Sequence, residues 1–104
     1  SLDADKGQVI VGPREALLRD TIYLNDVNWI GPDTLAAANG SNIRVKVRST
    51  RPPEAATLHV IDGQVSVKLA KPDTGISPGQ ACAFYADRDD AQRTLGGGWI
   101  TETA

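Results

Sequence analysis

Apolar and polar residues alternate with a period of two along much of the chain, and Gly, Pro, Asn and Asp repeatedly cut the alternation. Ile43, Val45 and Val47 are interleaved with Arg44, Lys46 and Arg48. That is the pattern of a half-buried strand over 43–48, with the aliphatic side chains on one face and the cationic ones on the other. The clearest local signal is the run 58–69. Asp62-Gly63 sits between two alternating stretches, and both positions of a two-residue hairpin turn require positive φ, which this pair tolerates. With that loop, Val60 faces Val65 and Leu58 faces Val67 on an apolar side. His59 then faces Ser66, and Thr57 faces Lys68, on a polar side.

Shorter signals fill the remainder. The β-rich stretch 21–24 is expected to stop at Asn25-Asp26, and Trp29-Ile30 precedes a turn at Gly31-Pro32-Asp33. Residues 34–38 suggest a brief helix ended by Asn39-Gly40, and Pro52-Pro53 breaks the chain after the basic strand. Turns are expected at 72–75 and 77–79. A strand over 81–85 places Cys82 and Phe84 on one face, 87–93 is a charged loop, and 95–101 is a last strand entered through Gly96-Gly97-Gly98. About six short strands with almost no helix predict an all-β fold. Closure is favoured because an open six-stranded sheet would leave two edges unpaired.

Residues 1–13 are expected to be a tail or the last strand of a preceding domain, with Gly12-Pro13 as junction, and 14–104 the barrel. Residues 14–18 suit either one helical turn or a lead-in to the first strand. A chain of 104 residues is enough for one such domain. It begins with Ser and contains no Met, which reads as a piece excised from a longer protein. Apolar residues at 40% and charged ones at 23% argue for a folded rather than a disordered chain. The single cysteine excludes an internal disulfide and a cysteine metal cluster, and fits a reducing cytoplasm. There is no apolar run long enough for a membrane span and no secretion leader. The formal net charge is −2, whereas a free-standing nucleic-acid binder is usually basic. Any RNA contact must therefore come from a local patch or depend on further domains.

The candidate chemistry is sparse. Cys82 shares a face with Phe84 and reads as a buried core thiol. Gly96-Gly97-Gly98 lacks the Gly-Lys-Ser/Thr and the helix of a phosphate loop, and reads as a place of close backbone packing. His59 has no second histidine and falls on the polar face of its hairpin. Asp87, Asp89 and Asp90 lack the spacing of a calcium loop. No acid–base pair or activated nucleophile is visible, so no catalytic residue, cofactor or metal site is expected within the chain. The set Arg44, Lys46 and Arg48 stands out, because three cations at alternate positions make a row that RNA phosphates would fit. Arg51 extends it, and Arg88 and Arg93 are weaker candidates on the loop. The same alternation also suits a solvated barrel face that resists edge pairing. Trp29, Tyr23 and Tyr85 could stack on bases. Val27 and Ile30 beside Trp29 argue for packing, and none of the three is nominated.

Longer blocks carry a family resemblance. Residues 77–85, Ser-Pro-Gly-Gln-Ala-Cys-Ala-Phe-Tyr, then a charged loop and Leu95-Gly96-Gly97-Gly98-Trp99-Ile100, resemble the ending of tRNA-specific 2-thiouridylases. That family was formerly labelled tRNA (5-methylaminomethyl-2-thiouridylate)-methyltransferase. Val11-Gly12-Pro13-Arg14-Glu15-Ala16-Leu17 with Asp26-Val27-Asn28-Trp29-Ile30, and Val45-Lys46-Val47-Arg48, resemble further blocks of the same family in the same order. Where members commonly carry Tyr-Arg-Gln after the strand arginine, this chain has Ser49-Thr50-Arg51. An RNA contact made by that pair would have to be made differently here. The resemblance implies a C-terminal Greek-key barrel similar to those of elongation factors, belonging to an ATP-dependent tRNA wobble-uridine 2-sulfurtransferase. ATP and two catalytic cysteines would lie in another domain, sulfur would arrive as a persulfide from relay proteins, and the barrel would help to hold the tRNA. A structural or relay-binding module with no RNA contact is the alternative.

Overall fold

A computed structural model describes residues 18–48, 50–88 and 93–104. The expectations for 1–13 and 14–17, and for Asp89 and Asp90, lie outside these residues. Six strands follow one another: β1 (Arg19–Trp29), β2 (Asn42–Lys46), β3 (Glu54–Ile61), β4 (Gln64–Asp73), β5 (Ala81–Ala86) and β6 (Thr94–Thr103). They close in the order β1-β4-β3-β2-β5-β6, with every neighbouring pair antiparallel. Strands β2 to β4 form a meander, and β1 lies beside β4 after a long crossover, which is a Greek key. The expected closed six-stranded all-β barrel is the observed one. Among the described residues no helix is long and apolar enough to cross a membrane.

The interior is made by alternate side chains from every strand. Ile22, Leu58, Val67 and Phe84 are fully enclosed, Leu24, Ile43, Val45, Ala56, Val65, Leu69, Cys82, Leu95 and Ile100 surround them, and Ala38 and Ile76 from the connecting segments join the core. The β3–β4 hairpin has the anticipated register: Val60 opposite Val65, Leu58 opposite Val67, His59 opposite Ser66 and Thr57 opposite Lys68. Asp62 and Gly63 both take positive φ, 51° and 79°, as the two-residue turn requires. The brief helix is a single 3₁₀ turn, Ala36–Ala38. The Thr34 hydroxyl accepts from the Ala37 N–H, and Gly40 at φ 85° ends the turn.

Strand β1 departs from its expected end. It runs through Asn25-Asp26 to Trp29. Its pairing with β6 steps from Asn25–Trp99 to Asn28–Gly97, so β1 holds one residue more than its partner there. This is a β-bulge, and Asp26 absorbs it at φ 50°. An Asn-Asp pair is locally a turn signal, but pairing with β6 before and after the bulge keeps the chain extended, while the pairing with β4 stops at Leu24.

Beside that bulge the three glycines of β6 solve a packing problem. A Cβ on Gly96 would lie 1.9 Å from the Asn28 carbonyl oxygen, and one on Gly97 would lie 2.6 Å from that of Cys82. Residue 98 is similarly crowded by Val27 and Asn25. The barrel closes through β6 between β5 and β1, and only residues without side chains let the three backbones approach so closely.

Candidate nucleic-acid interface

The basic strand carries its cations in two groups rather than one row. β2 ends at Lys46, so Val47 and Arg48 lie in a bend and the alternation no longer sets their direction. Arg44 and Lys46 remain on the outer wall. On the neighbouring β5, Arg44 stands opposite Tyr85 and Lys46 opposite Ala83. Ala81 and Ala83 present only methyl groups outward, which leaves a shallow depression bounded by Lys46, Arg48, Gln80 and Tyr85, with no carboxylate in its lining among the described residues. Lys46 has no ion-pair partner among the described residues. The Arg44 Nε donates to the Asp87 carboxylate at 3.1 Å, with the two side chains 30% and 45% exposed. An ion pair so exposed to water holds its members weakly.

Arg48 and Arg51 turn toward the end of β4. The Arg48 guanidinium donates to Asp73 Oδ2 at 3.0 Å and also to the Thr74 carbonyl. Arg51 Nη1 lies 3.2 Å from the same carboxylate oxygen and 3.7 Å from Glu54. The Thr74 N–H donates to Asp73 Oδ1 at 2.7 Å. Burial by itself would raise the Asp73 pKa. The Arg48 hydrogen bond, the Thr74 N–H and the charges of Arg48 and Arg51 outweigh it and hold the carboxyl below its ordinary value. Gly75, at φ 73°, leaves the space into which the Arg48 guanidinium fits. The cluster clips the segment after β2 to the end of β4.

The other residues singled out from the sequence fall elsewhere. Cys82 is enclosed, and burial pushes its thiol up to about 12, so it is not a thiolate nucleophile at neutral pH. His59 lies on the outer wall opposite Ser66, half-buried. Asp87 is engaged by Arg44. No group of three potential metal ligands occurs among the described residues. Tyr85 and Gln80, which border the basic depression, were not nominated from the sequence. The phase of 81–85 held the signal for Tyr85: with Cys82 and Phe84 inward, Ala81, Ala83 and Tyr85 must face out.

Comparison with known proteins gives a consistent result. Residues 19–100 match the family described as the aminomethyltransferase β-barrel domain. A tRNA-specific 2-thiouridylase of Maricaulis maris is 55% identical over 103 residues, covering 99% of this chain and 25% of that protein. Counterparts with the same name from Nitrobacter winogradskyi and Brucella ovis are 51% and 50% identical, over 96% and 95% of the chain. The chain therefore spans about a quarter of the length of these curated relatives.

Proposed function

We propose, because this chain belongs to the aminomethyltransferase β-barrel domain family, that it is the C-terminal tRNA-positioning barrel of a bacterial tRNA wobble-uridine 2-sulfurtransferase. The observation that carries this reading is the depression on the outer wall of β2 and β5. There Lys46, without an ion-pair partner among the described residues, shares the lining with Tyr85, Arg44 stands opposite Tyr85 in the β2–β5 register, and no carboxylate lines the floor among the described residues. Phosphates need fixed cations at roughly the spacing of alternate strand residues, about 7 Å, and Arg44 and Lys46 provide it on a rigid wall. Arg48 and Arg51 add positive potential at one end of that wall, although Asp73 already engages both. The barrel's part in catalysis is to orient the tRNA body. ATP-dependent activation, the catalytic cysteines and the receipt of persulfide sulfur from relay proteins belong to the remainder of such an enzyme, acting in the cytoplasm.

The test is tRNA binding across a salt series. Removing one phosphate-binding cation lowers the slope of log affinity against log salt by about one. Lys46→Ala should lower it by about one, and Arg44→Ala with Lys46→Ala by about two. Affinity and slope that stay unchanged in the double variant would sink the proposal.

Two observations favour a second reading, a structural or relay-binding module without RNA contact. Arg44, Arg48 and Arg51 all have carboxylate partners, and the chain is net acidic. Salt-insensitive binding to a persulfide-carrying relay protein, with no affinity for tRNA, is what that reading expects.

A further inference from the structure

We infer that one end of the barrel holds a pocket for a single unpaired RNA base. The pocket lies where β1 and β5 end and β2 and β6 begin, under the crossover 30–41. Its floor is apolar, made by the buried side chains of Ala38, Ile43 and Leu95. Trp29 forms a wall. The indole is held in place because its Nε1 donates to the Pro32 carbonyl at 3.3 Å and its ring covers Gly31, where a Cβ would lie 2.6 Å from the ring. Position 31 must be glycine for the indole to lie there. The rim carries Asp33, Asn42 and Arg93, and none of these side chains has a hydrogen-bond or ion-pair partner among the described residues. Asp33 is held at φ 63°, a left-handed conformation that costs a non-glycine residue energy and that clusters at ligand sites.

The chemistry of the lining selects the ligand class. An aromatic wall and an apolar floor suit a flat ring. The carboxylate, amide and guanidinium on the rim offer acceptors and donors together, matching a base edge that displays both. Phosphate is disfavoured, since Asp33 and Asp87 line the pocket against Arg93, the one cation of its lining among the described residues. An aliphatic side chain would desolvate the polar rim without replacing its hydrogen bonds. The cavity, about 300 Å³, is at the small end of ligand sites and suits one base rather than a base pair. From Lys46 to Asn42 along β2 is four residues, roughly 13 Å at the strand rise. An RNA strand whose phosphates lie along Lys46 and Arg44 would reach the pocket with an adjacent unpaired base. The inference rests on the tRNA reading for the identity of its ligand, not for the existence of the pocket.

The experiment uses Trp29 as its own reporter. The chain has two tryptophans, so Trp99→Phe on the exposed wall leaves Trp29 as the only one, excited selectively at the red edge of the absorption band where tyrosine does not absorb. Guanosine and uridine, which carry no phosphate, and a short single-stranded RNA are titrated and the emission is followed, with fully paired duplex RNA as control. Nucleosides and single strand should quench Trp29 and duplex should not. Asn42→Ala, and Ala37→Phe from an exposed position on the pocket margin, should weaken quenching roughly five-fold or more, the size expected when one base no longer stacks, with unchanged unfolding temperature. Quenching by nucleosides without Lys46-dependent tRNA binding would keep the pocket and discard the RNA-grip reading. Lys46-dependent tRNA binding with Trp29 emission unmoved by nucleosides and single strand would overturn the pocket alone, as would quenching undiminished in Ala37→Phe.

Discussion

At the scale of single residues, burial separates the cations. Lys46 is a wall residue with no carboxylate partner among the described residues, whereas Arg48 is 23% exposed and bonded to an Asp73 that is 11% exposed. Arg48→Ala removes two hydrogen bonds made by a charged donor and leaves a partly buried carboxylate short of its main partner. It should lower stability by about 1–3 kcal/mol, read as the urea midpoint. Arg51, half exposed, should cost less than about 1 kcal/mol when truncated. The same geometry sets a pH dependence. Asp73 has a folded-state pKa below its ordinary value of 3.8, so folding favours its charged form. The stability it contributes is present above pH 3.8 and is lost as pH falls through the lower folded-state value. The difference in stability between wild type and Asp73→Asn should therefore shrink as pH drops below about 4, and stay constant between about pH 5 and 7. Cys82 supplies a further check. With its thiol pushed up to about 12 by burial, it should stay unlabelled by a thiol reagent at about pH 8 in the folded chain and react once urea unfolds it.

At the scale of elements, hairpins and bulges decide where side chains point. The β3–β4 hairpin could be placed to the residue because the turn chemistry and the period-two alternation demand the same register. β1 required more than local sequence, since whether Asn25-Asp26 ends a strand or bulges it depends on the strand alongside. The glycines of β6 are the partners of that bulge. Gly96→Ala should destabilise by more than about 2 kcal/mol, because the new methyl meets the backbone of β1, which cannot move without opening the barrel. Gly63→Ala is the contrasting case. Nothing lies within 4 Å of its Cβ, so it should cost only the left-handed φ, about 1–2 kcal/mol. Comparing the two unfolding midpoints separates crowding from backbone strain.

At the scale of the whole molecule, closure gives the barrel a wall and two ends with different chemistry. The wall of β2 and β5 carries Arg44, Lys46 and Tyr85. One end is clipped by the Arg48, Arg51 and Asp73 cluster, and the other opens into the pocket beside Trp29. The net negative charge is compatible with this arrangement, because Asp87 and Asp73 engage the arginines at the two ends of the basic strand and leave the depression between them uncovered. Substitutions should separate along the same lines. Lys46→Ala should change the salt slope of tRNA binding by about one with little change in stability, and Arg48→Ala the reverse. Measuring both quantities for both variants tests the division.

The sequence by itself determined the alternation, the turns and the apolar inventory. From these follow six strands, a closed barrel to avoid open edges, the Asp62-Gly63 hairpin and its register, an interior Cys82 and an outward Arg44 and Lys46. Each is a consequence of local backbone preference or of a period that must match one buried face. What only the tertiary structure decided are meetings between segments far apart in the chain. Arg48 meets Asp73 across 25 residues, the 96–98 glycines meet the β1 bulge, and Trp29 shares a pocket with Asn42 and Arg93. No periodicity encodes such meetings, because each depends on where a strand ends and which strand lies beside it. Only the closed barrel fixes both.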